Sequence, residues 1–200
     1  MRPSAQFWRG APLVLASKSA GRASILKNAG IAFHACDSGL DERAIMFEGS
    51  PKELALHLAE QKALRLADQA PLILGADQIL ELDGEILHKS ANVDAARRQL
   101  RILRSRKHHL HSALAVVCDG AVSFTHVATA TIEMRACSDD LLETYIDAMG
   151  ERLCDTVGGY EIEGCGGQLM KSVEGDMFTI VGLPLLPLLD YLRKIGRLWD

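Results

Sequence analysis

An aspartate set inside an apolar run is the residue whose type and place most invite chemistry in this sequence. Leu72-Ile73-Leu74-Gly75-Ala76-Asp77-Gln78-Ile79-Leu80 reads as a buried strand with one ionisable group near its carboxyl end. A carboxylate taken out of water is costly unless a cation, a metal or hydrogen bonds compensate it. The carboxyl ends of strands are also where open α/β sheets bind ligands. Asp77 is the first place to look for chemistry, and its rival reading is an aspartate that starts a turn.

Other candidates have both a chemical and a plain reading. The turn Ser17-Lys18-Ser19-Ala20-Gly21-Arg22 follows a strand and opens a helix. Such a junction aims backbone N–H groups and the positive helix end at an anion, with two serines and an arginine as further donors. It lacks the Walker spacing, and ordinary strand–helix junctions also carry serines. Lys62 falls on the inner side of its helix by periodicity, where a lysine commonly snorkels. Lys89, taken alone, is a surface lysine. Glu42 lies in a polar, acidic loop and is solvated there unless it approaches Asp77. In that event the two carboxylates form a hard-oxygen pocket for Mg²⁺, which needs only one or two carboxylates plus substrate phosphate. His108, His109 and His111 suggest a metal, but with no matching Cys or acid evident they read as structural or solvated residues. No G-x-S-x-G elbow is present, and Cys165 has no evident histidine partner, so covalent catalysis is not expected.

The elements that must position these residues follow from periodicity and punctuation. Pro12–Ala16 is a short strand, and a helix through Ile25 and Leu26 stops at Gly30. Residues 31–36 return as a strand. Ser50-Pro51-Lys52-Glu53 forms a capping box with Pro at the first helical position, opening an amphipathic helix through Leu66. Leu72–Ala76 is a strand, and Gln78–Leu82 leads into an Asp83-Gly84 hairpin turn. A helix over about 92–104 precedes a second hairpin, 110–118 with 122–135, turning at Asp119-Gly120. Ser138 caps a helix to Met149. Glycines at 158, 159, 164, 166 and 167 are too close for regular elements, and an apolar helix over 185–195 closes the chain. Strand–helix alternation followed by hairpins predicts an α/β fold, a mixed sheet flanked by helices.

Composition limits the classes. Two hundred residues suit one domain, or one domain with two lobes around a central cleft, behind a loose leader over 1–11. With 48% hydrophobic and 24% charged residues the chain has the composition of an ordinary soluble globular enzyme and is too apolar for disorder. A net charge of -4 gives no reason to expect nucleic-acid binding. The first apolar stretch is too short for a signal peptide or a membrane span. The five cysteines form no C-x-x-C pair, so reduced thiols in a cytoplasmic protein are expected.

Taken together, Leu15–Arg22, Leu40-Asp41-Glu42, Gly75-Ala76-Asp77-Gln78, Lys89 and Val181-Gly182-Leu183-Pro184 resemble the Maf-like nucleotide pyrophosphatases, from about Leu13 to Ile195. The family's recurrent polar set maps onto Ser19 (with Ser17 beside it), Arg22, Glu42, Lys62, Asp77 and Lys89. The resemblance implies a house-cleaning enzyme that hydrolyses a nucleoside triphosphate to the monophosphate and pyrophosphate, with a divalent metal (Mg²⁺ or Mn²⁺) and usually as a homodimer. The fold it implies is similar to that of the inosine-triphosphate pyrophosphatases. It makes Asp77 the general base or a metal ligand, with Glu42 sharing the metal. Ser17, Ser19, Arg22, Lys62 and Lys89 would bind the triphosphate.

The departures bear on the substrate. Ala20-Gly21 stand where relatives carry Pro and then Arg or Trp, leaving one specificity position empty. Ser90 replaces Pro after Lys89. Gln78 and Glu163 look like the branch acting on 7-methyl-GTP, whereas a Thr and Gln pair marks the dTTP/UTP branch. A carboxylate at 163 suits the N–H edge of a guanine-type base. A nucleotide-binding regulator of cell division without turnover would use the same pocket, and an inosine- or xanthosine-triphosphate scavenger would share the fold.

Overall fold

The computed structural model describes residues 7–199. Seven strands form one mixed sheet flanked by helices. β1 (Leu13–Ala16) leads into α1 (Ala20–Asn28), and the chain returns as β2 (Phe33–Ala35). A 3-10 turn at Glu42–Ala44 precedes α2 (Pro51–Leu64) and β3 (Leu72–Leu82). β4 (Glu85–Leu87), α3 (Val93–Leu103), β5 (Lys107–Cys118), β6 (Ala121–Met134) and α4 (Asp139–Met149) follow. Two further 3-10 turns lead to β7 (Met170–Glu174), α5 (Met177–Val181) and α6 (Leu185–Lys194). Along the sheet the order is β2-β1-β3-β5-β6-β7, with β4 pairing off β3. β1 runs parallel to β2 and β3, whereas β4 on β3 and β7 on β6 are antiparallel.

Local chemistry explains most boundaries. The Ser50 side chain accepts from the Glu53 amide while the Glu53 carboxylate accepts from the Ser50 amide, so the capping box forms as its sequence predicts. The side chains of Ser19, Asn92 and Ser138 cap α1, α3 and α4 by accepting from the Arg22, Ala95 and Leu141 amides. Asp83-Gly84 and Asp119-Gly120 all have positive φ (53°, 87°, 48° and 85°), the geometry that tight hairpins demand.

β3, β7 and α5 differ from the sequence reading, which held no helix over Met177–Val181. β3 does not end near Asp77 but continues five residues further to Leu82. The β4 hairpin keeps its ladder paired, with Leu80 opposite Leu87 and Leu82 opposite Glu85. The turn reading of Asp77 is thereby overturned. The glycine-rich stretch gives way at Met170 to β7, where Ile132 pairs with Val173.

The chain divides into two compact units. The first holds the chain up to Asp77, Ser112–Ala128 and the segment from Gly182 onward; the second holds Gln78–His111 and Thr129–Val181. In the first, Ala16, Ala63, Leu66, Ile73 and Val117 form a buried cluster beneath α2. In the second, Leu80, Leu100, Leu103, Ile132, Ile146 and Leu153 belong to a larger core. The loose leader expected over 1–11 lies for residues 1–6 outside the described residues. Beyond them, Trp8 is buried and bridges Leu198, the Arg9 amide donates to the Arg197 carbonyl at 2.9 Å, and the Arg9 guanidinium covers the Trp199 ring. All five cysteines are free. Among the described residues no helix is long and apolar enough to cross a membrane.

Candidate active site

Strand register brings the first set of residues together. β1 pairs with β3 so that Ala16 lies opposite Gly75. The chain leaves β1 at Ser17 beside the segment Ala76-Asp77. Arg22, one turn into α1, points back into this junction and is buried. Its Nη1 donates to the Ala76 carbonyl at 2.8 Å and to Ser17 Oγ at 3.1 Å, and its Nε donates to the Gly182 carbonyl at 2.9 Å. Burial pulls the Arg22 pKa below its ordinary value, against the opposing influence of Asp77 and Glu42. Ser17 Oγ also accepts from the Ser19 amide at 3.2 Å, and Ser19 Oγ caps the Arg22 amide. The serine turn is thus built around the arginine.

Helix α2 crosses β3 at Gly75. A Cβ at that position would run into the Ala59 carbonyl oxygen and stand 2.9 Å from the Ala63 nitrogen. Only glycine admits the helix backbone this close. The close crossing delivers Lys62, itself buried, to the next outward position of the strand. Lys62 Nζ lies 2.5 Å from Asp77 Oδ1 and 2.6 Å from Glu42 Oε1. Asp77 and Lys62 side chains are 6% and 10% exposed and Glu42 is 49% exposed, so one buried ammonium bridges an inner and an outer carboxylate. Asp77 Oδ2 is buried and has no hydrogen-bond partner among the described residues.

This arrangement joins Ser17, Ser19, Arg22, Glu42, Lys62 and Asp77, and it resolves two readings left open by the sequence. Lys62 does not snorkel to solvent, and Glu42 does approach the aspartate. The charges of Arg22 and Lys62 cancel those of Asp77 and Glu42. A polyanion arriving here would therefore find donors but no surplus of positive charge. Two carboxylates and an unclaimed buried carboxylate oxygen are hard donors of the kind that a divalent cation such as Mg²⁺ takes. The residues present thus fit such an ion, although the described residues contain no cluster of three or more ligating side chains.

Gln78, Lys89 and Glu163 belong to the second unit. The Gln78 amide donates to the Thr179 and Ile180 carbonyls at 3.0 and 2.9 Å, which ties β3 to α5. Lys89 and Glu163 are exposed, and Gly21 is half-buried on α1. Ser90 bonds Gln99, whose amide in turn donates to the Val157 carbonyl.

The histidines hold structure together, and one does have an acid nearby, contrary to the sequence reading. His111 contacts Glu81 at 2.7 Å and Thr129 at 3.0 Å, and His109 contacts Thr131 at 3.1 Å. Strand alternation hides such cross-strand partners from a linear reading. His108 is fully buried 2.6 Å from the Tyr160 hydroxyl, and desolvation lowers its pKa to about 4. Burial likewise raises the Tyr160 phenol, and the Tyr145 phenol is pushed up to about 12. The Tyr145 hydroxyl accepts from the Glu161 amide and donates to the Gly159 carbonyl, clasping the chain on either side of Tyr160.

Sequence reasoning missed Gly75 as the crossing point, although a glycine two residues before a buried acid was a usable signal. It also missed the Ala76 and Gly182 carbonyls as anchors of Arg22; backbone acceptors leave no trace in residue identity.

Comparison with known proteins adds a family. The model for Maf-like proteins matches residues 12–195. A nucleoside triphosphate pyrophosphatase of Nitrobacter winogradskyi is 45% identical over 194 residues, covering 94% of this chain and 96% of that protein. One from Caulobacter vibrioides is 45% identical, with 94% and 97% covered. A 7-methyl-GTP pyrophosphatase of Brucella abortus is 43% identical, with 91% and 95% covered. Among solved structures, a HAM1 protein from Coxiella burnetii gives a TM-score of 0.42 at 14% identity, over 64% of this chain and 75% of that one.

Proposed function

The chain belongs to the Maf-like family, and we propose that it hydrolyses a nucleoside triphosphate to the nucleoside monophosphate and pyrophosphate. The observation that carries this reading is the buried Asp77 carboxylate, with one oxygen held by Lys62 and the other unclaimed. A module that only binds nucleotide has little use for a buried, half-satisfied carboxylate; a hydrolase needs a proton acceptor.

Asp77 Oδ2 takes the proton of the attacking water. Lys62 and Arg22 donate to phosphate oxygens, offsetting charge that gathers on the leaving pyrophosphate. Arg22 has Nη2 left for this, because Nε and Nη1 are committed to Gly182, Ala76 and Ser17. Ser17 and Ser19 orient the turn at the start of α1 toward the anion. Mg²⁺ or Mn²⁺, held by Glu42 and Asp77, would supply polarisation of the phosphoryl oxygens and neutralisation of the triphosphate.

Lys89 is assigned to the phosphates and Gln78 and Glu163 to the base, with a guanine-type base such as that of 7-methyl-GTP as the favoured substrate. The vacant side-chain position at Gly21 belongs to the same specificity set. The name of the Brucella relative supports that choice. The free cysteines fit a reducing compartment such as the cytoplasm, and a homodimer is the state that the family resemblance implies.

The test is pyrophosphate release with Mg²⁺ or Mn²⁺ across 7-methyl-GTP, GTP, dTTP, UTP and ITP. Release from at least one, fastest with a guanine-type base, is expected. Binding of nucleotides with no turnover of any would leave a binding protein and overturn the reading.

A further inference from the structure

The bridge made by Lys62 has a consequence for the order in which ligands enter. Asp77 Oδ1 and Glu42 Oε1 converge on a single point, and the ammonium of Lys62 sits at that point, 2.5 and 2.6 Å from them. A divalent cation shared by these same two oxygens would have to occupy the space that Nζ fills. Hard cations of this kind approach carboxylate oxygens more closely than an ammonium does, at about 2.0–2.1 Å for Mg²⁺. Lysine and metal are therefore mutually exclusive there by volume, and by charge as well. The lysine is also held in place. It is buried on α2, which lies close on β3, and withdrawing it leaves the buried Asp77 carboxylate without its directly bonded cation.

We propose that Lys62 is a resident cation that keeps the Asp77–Glu42 pair closed to divalent metal until a phosphate chain draws the ammonium away. The proposal rests on the reading of this site as one that takes a nucleoside triphosphate. Metal and nucleotide then bind with positive coupling, since each is favoured by the displacement that the other requires. Free metal does not load the protein. It enters with the triphosphate, whose oxygens give Lys62 a new partner and complete the coordination that two carboxylates leave open.

The experiment is titration of the full chain with Mn²⁺ alone, followed by calorimetry and by the shift in melting temperature, with no nucleotide present. Wild type is expected to bind Mn²⁺ weakly and to melt unchanged. Lys62→Met, which removes the charge and retains the length, is expected to bind Mn²⁺ about tenfold tighter or more and to be stabilised by it. Lys62→Gln should behave alike, and Lys62→Arg, which keeps a cation at the bridge, should stay weak. Adding Asp77→Asn to Lys62→Met should remove the gain. Equal Mn²⁺ affinity in wild type and the neutral variants overturns the proposal, as does sub-millimolar binding of Mn²⁺ to wild type alone. That wild-type measurement decides the matter even if the neutral variants do not fold. Pyrophosphate release is a separate readout: turnover with tight nucleotide-free Mn²⁺ binding discards the exchange and leaves the enzyme.

Discussion

Replacing Asp77 by asparagine preserves volume but removes both the counter-charge of Lys62 and the proton acceptor at Oδ2. Pyrophosphate release is expected to fall at least ~100-fold, the scale of losing a general base, while nucleotide still binds. Activity retained in Asp77→Asn but lost in Glu42→Gln would reverse the two roles. For Glu163 the expected effect is on selectivity. Glu163→Gln should lower the ratio of guanine-type to other bases in kcat/KM, and an unchanged ratio would remove it from base recognition. At this scale the sequence was informative about which residues matter but silent about how they touch. Asp77 stood out because its neighbours are apolar. No local pattern showed that Lys62 would meet it, since the bond spans 15 residues and is made by a helix packing on a strand. The two backbone acceptors of Arg22, 54 and 160 positions away, were beyond any local pattern.

The elements were legible wherever a short-range rule acts. Helix N-caps and Asp-Gly turns are decided by residues within a few positions of one another, and the helices and hairpins they bound formed where expected. β3 was read as too short because an acid interrupts its apolar run, yet strand pairing depends on the backbone and the β4 hairpin continues it. The stretch after α4 was opaque for a different reason. It is organised by buried tyrosines from α4 and from its own chain, not by periodicity. His108 on β5 is the far end of that arrangement, and it offers a test by pH. Its folded pKa of about 4 lies below the ordinary 6.5, so the unfolded chain takes up a proton first as pH falls. Its contribution is intact above pH 6.5 and is lost as the pH drops toward 4, by on the order of 3 kcal/mol in all. Urea unfolding at pH 7, 5.5 and 4.5 should show this decline in wild type and a shallower one in His108→Gln. Parallel slopes would mean that other groups carry the acid sensitivity.

At the scale of the molecule, the candidate residues are divided by the chain itself. The unit that takes the chain up to Asp77 contains the serine turn, Arg22, Glu42 and Lys62, and the unit that takes it over at Gln78 contains Lys89 and Glu163. The boundary falls between two consecutive residues of β3, one assigned to the reaction and the other to the base. A nucleotide series should therefore separate two kinds of defect. Changes at Arg22 or Lys62 are expected to lower turnover of every triphosphate by a similar factor, whereas changes at Gln78 or Glu163 should re-rank the bases. Steady-state kinetics over the five nucleotides would check this, and a re-ranking caused by Arg22→Ala would contradict it. Light scattering of the purified chain would test the homodimer.

Gly75 sets a limit on how this site can vary. The two atoms nearest it, the Ala59 carbonyl oxygen and the Ala63 nitrogen, belong to the backbone of α2, so trimming the Ala63 methyl that also lies close would not make room for a methyl group. Gly75→Ala is expected to cost roughly 1–3 kcal/mol of stability or more through overpacking, read as a drop in the urea midpoint. It should also lift Lys62 away from Asp77 and lower turnover together with stability. A search for second-site suppressors among side chains at 59 and 63 should return nothing, because the obstruction is common to all twenty amino acids. The position is thus closed to gradual change: of everything in this site, the missing side chain is the part that mutation has no route to replace.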